Sequence, residues 1–80
     1  MLSASSLYAR VDENWCRRIA IWLSYAIEEA REGCVKACVD DVFFALDCCA
    51  FVLDVSTRVR AMQLCFAVLD ACFVASPVVP

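Results

Sequence analysis

Residues 34–55, CVKACVDDVFFALDCCAFVLDV, contain no glycine or proline, and their length suits a helix far better than a strand. On a helix, Lys36, Asp40, Asp47 and Asp54 fall into one narrow column, because residues seven apart drift by only about 20° around the axis. Phe44 and Phe51 flank that column. Almost all the remaining circumference is Val, Leu, Phe, Ala or Cys, leaving roughly three-quarters of the helix apolar. A helix of that kind is expected to be surrounded, by its neighbours in the chain and by company beyond it.

On the N-terminal side the pattern is amphipathic. Trp15, Ile19, Trp22, Leu23, Ala26, Ile27 and Ala30 recur at helical spacing and form one apolar arc. Arg17 and Arg31 line its edge, and Glu28, Glu29 and Glu32 lie on the polar side. Ser5, Ser6 or Asp12 can cap the start of this helix. Gly33, the only glycine of the chain, stands where a left-handed residue ends a helix.

On the C-terminal side, Asp54, Ser56 and Thr57 are cap-forming residues ahead of a third apolar segment, 58–75. Arg60, Gln63 and Asp70 make a thin polar column there, and Met62, Leu64, Cys65, Phe66, Leu69, Cys72 and Phe73 cover most of the rest. Pro77 stops the helix, and Val78, Val79 and Pro80 end an uncharged tail. No glycine or proline separates the second and third segments, so a single kinked helix is an alternative to two. The pattern predicts an all-α single domain, a small antiparallel bundle of about three helices near 7–32, 34–55 and 58–75 with an apolar tail at 76–80.

The totals say what such a bundle needs. The chain has 80 residues, 64% of them hydrophobic, with a mean hydropathy of +0.71. Soluble domains are typically about 45–50% apolar, and a domain this small hides only about 60% of its unfolded surface. The excess calls for self-association, partner subunits or lipid. A net charge of −3 and a pI of about 4.6 oppose phosphate binding, and the arginines form no concentrated basic face, so nucleic acid is an unsuitable partner.

Enzyme chemistry finds little to work with. There is no histidine to serve as general base, and one glycine cannot build a phosphate loop. Asp40 and Asp41 are adjacent and point about 100° apart on a helix. They therefore read as a solvated or salt-bridged face and not an acid pair. No catalytic residue, cofactor site or metal site is expected.

Seven cysteines cannot all pair within the chain. They sit in apolar helical pattern and read as small buried hydrophobes in a reducing intracellular compartment. Cys34, Cys38, Cys65 and Cys72 could in principle meet as a four-thiolate zinc site, but their spacing lacks the short knuckle usual for structural zinc. Cys38 and Cys48, with nine residues between them, resemble half of the paired-cysteine helical hairpin of small mitochondrial intermembrane-space proteins. The resemblance implies an oxidised hairpin, yet the second pair has no counterpart here, because six residues separate Cys65 from Cys72.

Two charged columns, Arg10, Arg17 and Arg31 on the first helix and Asp40, Asp47 and Asp54 on the second, could lie alongside each other in a bundle. The function that follows is a non-catalytic helical interaction protein, either a self-associating bundle or an accessory subunit of a larger complex. Phe43, Phe44, Phe51, Phe66, Leu69 and Phe73 are its expected interaction surface. The alternative is a membrane-associated protein that uses residues 61–80 as a bilayer segment, at the cost of placing Asp70 near mid-membrane.

Overall fold

The computed structural model describes residues 4–75, which form three helices: α1 Ala4–Arg31, α2 Val35–Cys49 and α3 Val55–Ala75. No strand occurs among the described residues. Each helix packs against the other two. The tail at 76–80 lies outside the described residues.

Helix α1 runs through 28 residues without a breaker and begins at Ala4, ahead of Ser5, Ser6 and Asp12, so none of the three occupies its N-cap position. Its end is where the glycine places it. Gly33 has φ of +80°, its N–H donates to the Ala30 carbonyl at 3.1 Å, and the Cys34 N–H donates to the Glu29 carbonyl at 2.8 Å. Those two bonds satisfy carbonyls that the helix end would otherwise leave open. A Cβ at Gly33 would meet nothing within 4 Å, so the glycine is needed for its backbone angle and not for space. The reversal is tight, and α2 begins two residues later with Cys34 at its N-cap and no side chain capping it.

Helix α2 ends at Cys49, six residues short of the expected Val55. Residues 50–54 leave the helix, which also excludes the single kinked helix. The cause is polar and comes from elsewhere in the chain. The Asp12 carboxylate, on α1, accepts from the Leu53 N–H at 2.7 Å and from the Asp54 N–H at 3.0 Å. Arg58 donates from Nε to the Val52 carbonyl at 2.9 Å. Asp54 then caps α3, taking the Thr57 N–H at 2.9 Å and the Thr57 hydroxyl at 2.7 Å. Charged side chains thus satisfy the backbone groups that a continued helix would have satisfied internally. Val52 is driven into the core at the centre of this loop.

The core is made mostly of small side chains, Ile19 and Leu23 being its two larger members. Ile19, Leu23 and Ala26 come from α1, Cys38, Val42, Ala45 and Cys49 from α2, Val52 from the loop, and Cys65 and Cys72 from α3. Trp15, Trp22 and Ala30 pack at its margin, but Ile27 is exposed, contrary to its place in the predicted arc. No phenylalanine enters the core. Residues as small as Ala, Val and Cys let helix axes approach closely, and a seam that narrow has no room for a ring.

Candidate interaction surface

With the core filled by small residues, the large apolar side chains stand outside. All five phenylalanines, Phe43, Phe44, Phe51, Phe66 and Phe73, are between 48% and 56% exposed. Leu69, the sixth residue of the expected surface, is partly buried and packs against the core. One chain by itself therefore does not surround α2 and α3. Their outer faces are open.

Two groups of large apolar side chains stand out on this surface. Phe51 stacks on Trp15 with ring centroids 4.6 Å apart, and Phe44 stacks on Trp22 at 4.9 Å. Arg18 lies over the Trp15 ring, its guanidinium carbon 5.1 Å from the ring centroid. These stacks fasten α1 to α2 and the loop from outside the core, a role for Trp15 and Trp22 beyond simple burial. Phe43 takes part in no such stack.

The second group is a stripe along α3. Val55, Val59, Met62, Phe66, Leu69 and Phe73 succeed one another at spacings of four, three, four, three and four residues. That is the a/d rhythm of a helix seam that packs against another helix. Apart from Leu69, every member is 37–64% exposed. The surface residues named individually from the sequence include the two phenylalanines and Leu69 of this stripe but not Val55, Val59 or Met62. The rhythm was available, yet it was hidden by the surrounding excess of apolar residues.

The charged columns do not meet. Arg17 pairs with Glu13 at 2.7 Å and Arg31 with Glu28 at 3.0 Å, both within α1 and both solvent-exposed. Such pairs contribute about 0–1 kcal/mol each. Asp41 departs from the expected solvated face: it is buried, and it lies beside Glu29 of α1. A hydrogen bond to Asp41 holds the Glu29 carboxyl above its usual range, helped by desolvation and by the charges of Asp41, Glu32 and Asp40. One Glu29 oxygen, Oε2, is shielded from solvent without a donor, which is the expected plight of a carboxylate facing a carboxylate.

The cysteines split four to three. Cys38, Cys49, Cys65 and Cys72 are fully buried as expected, whereas Cys16 and Cys48 are half-buried and Cys34 is exposed. Burial, first, and the neighbouring Cys72 push the Cys38 thiol up to about 12. Burial and the Cys49 sulfur do the same to Cys65. Cys34, Cys38, Cys65 and Cys72 are not gathered into one site, and no cluster fit to hold a metal ion occurs among the described residues.

A cleft of about 760 Å³ lies where α1 overhangs the α2–α3 loop, lined by Tyr8, Ala9, Asp12, Leu53, Asp54 and Thr57. Its carboxylates are already engaged by backbone N–H groups and Thr57, so it offers a ligand little unspent polarity. No helix among the described residues is long and apolar enough to cross a membrane, and part of the segment 61–80 considered for that role lies outside the description. No family model, curated protein or solved structure matches the chain.

Proposed function

We propose that the protein is a non-catalytic helical interaction protein, completed by self-association or by docking as an accessory subunit in a larger complex. Its working surface is the outer face of α2 and α3, with Phe43 and the stripe Val55, Val59, Met62, Phe66 and Phe73 at its centre. Its unpaired cysteines are in keeping with a reducing intracellular compartment, which is part of this reading. The helices run antiparallel in this reading. The stacked pairs support that: as the residue number rises from Trp15 to Trp22, its partner falls from Phe51 to Phe44.

One observation carries the function. The seam on α3 has the spacing of a packed helix interface and faces outward. Fully burying a Val, Met or Phe side chain is worth about 1.5–3 kcal/mol. Five half-exposed ones offer several kcal/mol towards the cost of association, which is about 4–15 kcal/mol. A helix with a complementary apolar seam is the partner this chemistry fits.

The test is Phe66→Glu in the full chain, with Arg17→Gln as a control on the exposed face of α1. Sedimentation should show that Phe66→Glu weakens association at least tenfold, while Arg17→Gln leaves it intact. Equal association of both variants would remove α3 from the interface.

A further inference from the structure

A different feature of the molecule, independent of that surface, lies in its core. Cys49 at the end of α2 and Cys65 in α3 bring their sulfurs to 3.8 Å. Both are essentially inaccessible, at 1% and 0% exposure. Sixteen positions separate them in sequence, so the contact exists only because the loop at 50–54 folds α3 back onto α2. A disulfide needs its sulfurs at about 2.05 Å. The remaining approach is less than 2 Å, within reach of side-chain rotation and a small shift of two packed helices.

We propose that Cys49 and Cys65 form a redox site, closed to a disulfide by exchange with a small disulfide such as oxidised glutathione while the α2–α3 seam is open, and sealed from it once the seam has shut. One protein thiolate attacks the glutathione disulfide, forming a mixed disulfide and releasing one glutathione thiolate. The second cysteine, as its thiolate, then attacks the protein sulfur of the mixed disulfide and expels the second glutathione. The two protein thiols are oxidised and the small disulfide is reduced to two thiols, the two protons lost by the protein passing through solvent to the two released glutathione thiolates.

Sealing follows from the surroundings. Exchange requires a thiolate, and burial holds both thiols protonated, with Cys65 pushed up to about 12. The folded pair is therefore slow to react, and the rate is set by how often α3 separates from α2. Closure of the bond would then lock α3, and with it the loop fixed by Asp12, in the position described here.

The experiment uses the whole chain. Reduced, denatured protein is refolded with oxidised glutathione, free thiols are alkylated in denaturant, and peptides are mapped by mass. Cys49 should be found joined to Cys65, with Cys34 still open to alkylation or carrying glutathione. In parallel, already folded reduced protein should form the same link at least tenfold more slowly, and sub-denaturing urea should accelerate it. Cys49→Ser should leave Cys65 joined to no other cysteine of the chain, either free or carrying glutathione. Cys49 or Cys65 joined to another cysteine, both remaining alkylatable after oxidative refolding, or equal rates from the folded and unfolded states would each overturn the proposal.

Discussion

Glu29 shows how a single residue can set a pH dependence in a protein without histidine. Its carboxyl lies beside Asp41, and the neutral form can donate a hydrogen bond that the charged form cannot. The folded chain therefore holds this proton more tightly than the unfolded chain, in which the group titrates near 4.5. Stability from this residue is present at and below that value and is lost as pH rises through its higher folded range. Asp54 acts in the opposite sense lower down. Hydrogen bonds from the Thr57 hydroxyl and N–H keep its carboxyl below the 3.8 usual for aspartate, so its contribution persists at neutral pH and disappears in acid. Between neutral pH and about 5 the wild type should gain stability as acid is added. Glu29→Gln should be more stable than wild type at pH 7 and should lose most of that gain; urea midpoints across pH 4.5–7.5 read it directly. A Glu29→Gln profile parallel to that of the wild type would show that the pair carries no such proton.

At the scale of elements, Asp12 is the residue on which the arrangement of helices depends. It joins α1 to the loop between α2 and α3 through two charge-assisted bonds to backbone N–H groups. Asp12→Ala should cost about 2–4 kcal/mol, since two part-buried donors lose a charged acceptor together. Hydrogen exchange at Leu53 and Asp54 should accelerate in the variant. A stability loss below about 0.5 kcal/mol with unchanged exchange would contradict this role. The same residue marks the limit of what the sequence discloses. The end of α1 is legible because Gly33 acts on its own backbone. The end of α2 is not, because the groups that stop it are a carboxylate about forty positions upstream and an arginine in the next helix. The buried cysteines were legible as small apolar residues, but their contact across α2 and α3 depends on that same loop.

For the molecule as a whole, the decisive property is the inversion of size between core and surface. Ala, Val and Cys bring the helices together, and the phenylalanines are left outside. Composition alone already implied more apolar surface than one small chain can hide. Which residues would be left out was partly legible, since five of the six expected surface residues are exposed and only Leu69 turns inward. A compact monomer of this mass exposes about 4,800 Å², whereas the chain exposes 5675 Å². Contiguous apolar patches beyond a few hundred Å² are uncommon on monomers. The central claim, that this surface is made to be covered, is tested most directly by sedimentation of the isolated chain in detergent-free buffer at roughly tens of micromolar. The account predicts species larger than 8.9 kDa, either a defined oligomer or polydisperse material awaiting its partner. A single, well-behaved 8.9 kDa monomer across that range would contradict it.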